Sequence, residues 1–148
     1  MATALYDLTV PVFIRGLNAL SGLLDKGSAF AAEKGIDPAT LTGAQLIADM
    51  KPLTAQVQFA CDTAKGTVTR LGELEPVAMA DTEQTFAELQ ARIAKTIALL
   101  EAVPRDRIDG REDADVVLKV PGADIPFTGP SHVLTFSLPN FYFHLTMA

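Results

Sequence analysis

Apolar residues recur at steps of three and four over three long stretches of this chain. From about Ala4 to Lys34, Val10, Phe13, Leu17, Leu20, Leu24 and Ala31 share one stripe. That spacing predicts an amphipathic helix. Pro11 belongs in or near its first turn, where a missing N–H does least harm, and Gly35 should close it. Asp37-Pro38 reads as an N-cap followed by proline at the first helical position, opening one short turn that ends near Gly43. A second long helix is predicted from about Pro52 to Leu71, with Leu53, Val57, Ala60, Ala64, Val68 and Leu71 inward. After a connector from Gly72 to Ala80 containing Pro76, Asp81 and Gln84 form a capping pair for a third helix. It should run to about Ala102 with Phe86, Leu89, Ile93, Ile97 and Leu100 inward.

The period then changes. Arg105 to Asp115 is dense in charge and reads as a solvated connector. Val116 to Val120 reads as a strand, Pro121-Gly122 as the centre of a type II turn, and alternating Ile125 and Phe127 as the return strand. Gly129-Pro130 opens the final helix, whose inward line is Leu134, Ser137, Phe141, His144 or Leu145, and Ala148, with a kink or split expected at Pro139.

Length allows a single domain, 1–148, with a real core. The net charge of −6 shows no basic cluster, which argues against nucleic-acid binding. No apolar run approaches the roughly 20 residues of a membrane span, and Met1 to Asp7 lacks the basic start of a signal peptide. A lone cysteine, Cys61, fits a reducing cytoplasm. A cytoplasmic globule is therefore expected.

Few residues can carry chemistry. Five of the ten aromatics and both histidines lie between Phe127 and Ala148, so a site is sought there. His132 should be an exposed first-turn residue, and His144 a packed histidine, a ligand or a base. Cys61, mid-helix beside an apolar stripe, should be an inert buried thiol. Asp62 and Lys65 should pair on the surface. The carboxylates form no catalytic pair, and neither a phosphate-binding glycine loop nor a Ser-His-Asp arrangement can be drawn. Phe136, Phe141, Tyr142 and Phe143 cannot all face inward on one helix, so some should meet another surface.

Three stretches carry a resemblance: Tyr6-Asp7-Leu8-Thr9-Val10-Pro11, Cys61-Asp62-Thr63-Ala64-Lys65-Gly66, and Leu138-Pro139-Asn140-Phe141-Tyr142-Phe143-His144. From Tyr6 to its last residue the chain resembles the bacterial and fungal family known as domain of unknown function nineteen ninety-three. That family is related to the DinB/YfiT-like proteins, a group read as metalloenzymes, and its activity is not established. The resemblance implies an all-α fold: a DinB-like four-helix bundle running up-down-down-up, with a small β-hairpin before the last helix. DinB-like enzymes hold a divalent metal on three histidines, one from the second helix and two, four residues apart, from the last. Some relatives with a full site are thiol-dependent transferases or isomerases.

Carried onto this chain, the metal positions fall at His144, Asn140 and Gln58, with Gln56 as the alternative to Gln58. One histidine with two carboxamides is a poor set for zinc, nickel or iron. No cofactor is therefore expected, and the first reading is a degenerate DinB-like domain that binds a small ligand or a partner. The alternative is a metal-dependent thiol transferase or hydrolase around His144. The last helix also reads as shortened, which leaves apolar surface for a homodimer contact near that helix.

Overall fold

The computed structural model describes residues 4–148. The chain is mostly helical, with one small two-stranded antiparallel sheet. Four long helical segments surround the core: α1 (Leu5–Lys34), α3 (Leu53–Gly72), α4 (Phe86–Glu101), and a final segment of α5 (Gly129–His132) and α6 (Leu138–Met147) joined by a π-helical turn at Val133–Ser137. A short α2 (Pro38–Thr42) follows α1, and β1 (Asp115–Val120) pairs with β2 (Ala123–Thr128).

The stripes read from the sequence form the core. Phe13, Leu17, Leu20 and Ala31 of α1 are fully buried, as are Val57, Ala60, Ala64, Val68 and Leu71 of α3 and Leu89 and Leu100 of α4. Pro11 sits in the second turn of α1 rather than the first, because the helix starts at Leu5. Both Pro11 and Asp7, whose carbonyl loses its partner, lie on the exposed side, so water can satisfy that carbonyl. Gly35 adopts φ +63 at the C-cap and closes the helix as expected.

The cap of α4 corrects the sequence reading. Thr85, not Asp81, is the N-cap, accepting from the Glu88 backbone N–H at 3.2 Å while the Glu88 carboxylate accepts from Thr85 N–H at 3.0 Å. Asp81 instead pairs with Arg92 at 2.9 Å. Arg92 is itself buried, and its guanidinium also reaches Glu83 at 3.0 Å, Asp62 at 2.9 Å and the Ala80 carbonyl. Burial alone would lower the pKa of this arginine, but the bonds to Glu83 and the surrounding carboxylates outweigh it and raise it. One cation thereby ties the connector before α4 down onto α3.

The expected hairpin forms, with Val116 opposite Phe127 and Leu118 opposite Ile125. Gly122 at φ +84 fits the third position of a type II turn in which Pro121 is the second. Thr128 and Ser131 form a capping box at the head of the final helix. The split foreseen at Pro139 occurs one turn earlier, at Val133–Ser137, where the Leu138 N–H reaches back to the Val133 carbonyl. The wider π turn changes the phase of the helix. Val133 goes into the core and Leu134, expected inward, is left exposed, while Ser137 and Phe141 are buried as expected.

Side-chain contacts set the relative directions of the helices. Gln90 of α4 bonds Ser21 of α1, and Phe86 lies against Gly27 further along α1. Thr67 bonds Ser137, Thr63 bonds Asn140 and Gln56 bonds His144, so α3 and α6 run in opposite directions. Phe141 lies over Gly16, and Gly129 touches Leu5.

Candidate functional site

The facing sides of α3 and α6 hold the polar residues singled out in the sequence. His144, half-buried one turn after Phe141, brings its Nδ1 to 2.9 Å from Gln56 Oε1. Gln56 is buried and uses its amide Nε2 to donate to the Lys51 carbonyl at 3.1 Å. That second bond orients the carboxamide: its oxygen faces the imidazole, so Nδ1 carries the proton and Nε2 carries the lone pair. Burial also lowers the pKa of His144 below its ordinary value, which favours this neutral form.

Asn140 stands one turn before His144 and donates from Nδ2 to Thr63 Oγ1 at 2.7 Å. The Thr63 hydroxyl is itself committed to the Phe59 carbonyl at 2.7 Å. Gln58 lies elsewhere: its amide donates to Glu83 at 2.9 Å, on the side of α3 that faces the connector. Two residues along a helix turn a side chain by about 200°, so Gln56 and Gln58 face different neighbours. The structure therefore brings His144 to Gln56 and Asn140 to Thr63, and it does not bring Gln58 to either.

His144 and Asn140 line a groove of about 180 Å³ together with Phe59, Asp62, Phe136 and Arg70. The Phe59 and His144 rings are 4.9 Å apart. One half-buried neutral imidazole, one carboxamide and two aromatic walls can receive a small planar molecule through hydrogen bonds and stacking. No group of three or more His, Cys, Asp or Glu side chains that could hold a metal ion occurs among the described residues.

His132 corrects a second expectation. It is fully buried rather than exposed, packed between Phe127 at 5.4 Å and Phe136 at 5.6 Å, with Nδ1 3.1 Å from Ser137 Oγ. A hydroxyl-to-hydroxyl bond of 2.9 Å links Ser137 onward to Thr67, while Nε2 has no partner. Burial, with the nearby Arg70 charge adding to it, pulls the His132 pKa down to about 4. This Ser-His pair is sealed from solvent and serves as a polar strut between α3 and the final helix. Cys61 is buried, and burial pushes its thiol up to about 11, leaving too little thiolate for nucleophilic chemistry. Asp62 does pair with Lys65, at 3.0 Å, and shares its carboxylate with Arg92. Arg70, which borders the groove, carries no signal of spacing or motif in the sequence.

No helix among the described residues is long and apolar enough to cross a membrane. The family model described as Domain of unknown function (DUF1993) matches residues 5–148. A crystal structure of a DinB family member protein from Shewanella denitrificans is similar to this chain at a TM-score of 0.86 and 37% identity, covering 97% of this chain and 81% of that one. No curated protein matches. The chain belongs to the DUF1993 family and is DinB-like in structure.

Proposed function

We propose that this member of the DUF1993 family is a ligand-binding domain whose site is the α3–α6 groove around His144 and Asn140, not an enzyme built on a tightly held metal. The observation that carries this reading is the commitment of the donor set. His144 Nδ1 is taken by Gln56, the Asn140 amide by Thr63 and Gln58 by Glu83. One imidazole nitrogen is left to act, and the neutral carboxamides beside it are weak ligands for zinc, nickel or iron. These residues do not fit the three-imidazole centre that the DinB resemblance implies.

The four long helical segments are read as an up-down-down-up bundle. The ordered pairs between α1 and α4, α3 and α6, and α1 and α6 support that path, as does the connector of residues 73–85, long enough at about 3.3 Å per residue to cross it. In this frame the groove is open on one side and walled by α3 and by α6, the helix that carries both His144 and Asn140. A ligand with a hydrogen-bond donor and a planar body suits it, and phenol is the simplest probe. A reducing cytoplasmic setting fits the buried thiol of Cys61.

Elemental analysis of protein purified without an affinity tag should find well under one transition metal per chain. Phenol should shift the His144 ring signals in NMR spectra and leave those of buried His132 in place. One full equivalent of nickel, zinc or iron would instead favour the transferase or hydrolase reading. An unmoved His144 signal at saturating phenol would remove the ligand site.

We also propose that the chain is a homodimer through the outer side of its final helix. Leu134, Tyr142 and Phe143 expose about half of their surface there, at 54%, 42% and 51%, and aromatics of this kind concentrate at interface cores. Light scattering at micromolar concentration should give twice the chain mass of 15.8 kDa. A single chain mass at that concentration would end this proposal.

A further inference from the structure

A second concavity, of about 420 Å³, lies between the outer side of α3, the connector and β1. Its walls are Pro76, Val77 and Val117, and its charged residues are Lys65, Arg70 and Lys119. No carboxylate among the described residues lines it. In a chain of net charge −6, three of twelve lysines and arginines gathered around one hollow make a local positive field. Lys65 is held by Asp62 at 3.0 Å. Arg70 and Lys119 have no ion-pair partner among the described residues.

Arg70 is the unusual member. Its side chain is half-buried, so its guanidinium has given up water without gaining a carboxylate, and burial lowers its pKa. It is nonetheless held in a definite place, folded back over Gly66. A Cβ at residue 66 would lie 3.1 Å from Nη1 and 3.2 Å from Nη2. Glycine in a helix interior costs about 1 kcal/mol relative to alanine, and the room it leaves in α3 is the room the guanidinium uses.

We propose that this hollow binds a small organic anion with an apolar body, its carboxylate or phosphate head on Arg70 and Lys119 and its tail against Val77, Val117 and Pro76. The planar fork of arginine matches either head group with two parallel hydrogen bonds. The lysine adds a point charge, and the apolar walls remove the tail from water. The site is distinct from the His144 groove, which Arg70 also borders but whose lining includes the Asp62 carboxylate.

Calorimetric titration of octanoate, octyl phosphate, 1-octanol and inorganic phosphate tests the assignment on the full chain. At least one octyl anion should bind, and the tighter of the two names the head group. Octanol and inorganic phosphate should each bind at least tenfold more weakly. Arg70→Gln, which removes no hydrogen bond found within the protein, should weaken octyl-anion binding at least tenfold while unfolding stays cooperative. Gly66→Ala, whose Cβ would crowd the guanidinium at 3.1–3.2 Å and displace it slightly, should weaken binding less than Arg70→Gln, and Lys119→Gln should weaken it several-fold. His144→Ala should leave it unchanged, which separates this site from the groove. The proposal is overturned if neither octyl anion binds at millimolar concentration, or if octanol or inorganic phosphate binds as tightly. It is equally overturned if Arg70→Gln leaves the affinity unaltered or if His144→Ala abolishes it.

Discussion

Phe141→Ala should lower the unfolding free energy by about 3–5 kcal/mol, the range for deleting a fully buried aromatic ring. Phe141 is fully buried, edge-to-face with Phe13 at a centroid distance of 4.9 Å, and its ring lies directly over Gly16 of α1. For a domain of this size the loss corresponds to roughly 10 °C in Tm. It would be read as a lower urea midpoint at unchanged m-value. Gly16 makes the prediction sharper. A Cβ there would sit 2.6 Å from the Phe141 ring, too close for any contact, so Gly16→Ala should destabilise the parent chain although alanine is the better helix former. In the Phe141→Ala background the same substitution meets only Leu145, at an ordinary contact distance of 3.5 Å, and should be neutral or stabilising. Additive effects of the two substitutions in a double-mutant cycle would show that the ring does not rest on Gly16.

The helix that carries Phe141 also shows where sequence reasoning reaches and where it stops. The stripes of α1, α3 and α4 were legible because a helix period repeated over four or more turns admits one inward face. The hairpin was legible because Pro121-Gly122 selects a turn type and the flanking residues alternate. The π turn at Val133–Ser137 was not: it adds part of a residue to one turn, and no residue type marks it. The phase read back from Ser137 and Phe141 therefore failed across that turn, which put Val133 inward and left Leu134 exposed, while Ser137 and Phe141 kept their expected burial. The cap of α4 was misplaced for another reason. Asp81 with Gln84 has cap spacing, but the Asp81 carboxylate is held by Arg92, and Thr85 with Glu88 caps the helix instead.

The same limit applies at the groove. Whether Gln56 or Gln58 meets His144 depends on the register between α3 and α6, which the contacts of Thr67 with Ser137 and Thr63 with Asn140 set. The resemblance pointed to Asn140 and His144, and their four-residue step puts both in the groove. The packing between helices then determined what each side chain was paired with, and so which chemistry was left to it.

His132 should make the folded state lose stability as pH falls through a range where most domains are still firm. Its pKa is about 4 when folded, against an ordinary value of 6.5. Between those values the unfolded chain binds a proton at this position and the folded chain does not. Stability is therefore complete above pH 6.5 and declines as pH drops toward 4, by up to about 3 kcal/mol for a displacement of this size. The cause is local. The imidazole is enclosed by Phe127 and Phe136, its Nε2 has no partner, Nδ1 meets only the Ser137 hydroxyl, and Arg70 is the charge that faces it. His144 is lowered in the same direction and adds to the slope. Glu83 and Glu88, which are lowered from 4.5, act mainly at the acid end. Urea unfolding at pH 7, 6, 5 and 4 should show the decline in the parent chain and a clearly flatter profile in His132→Asn, whatever that variant's stability at pH 7. A His144→Asn control should retain most of the slope. With only two histidines in the chain, NMR titration reads each ring directly, and a His132 signal titrating near pH 6.5 in the folded protein would refute the sealed, neutral imidazole on which the prediction rests.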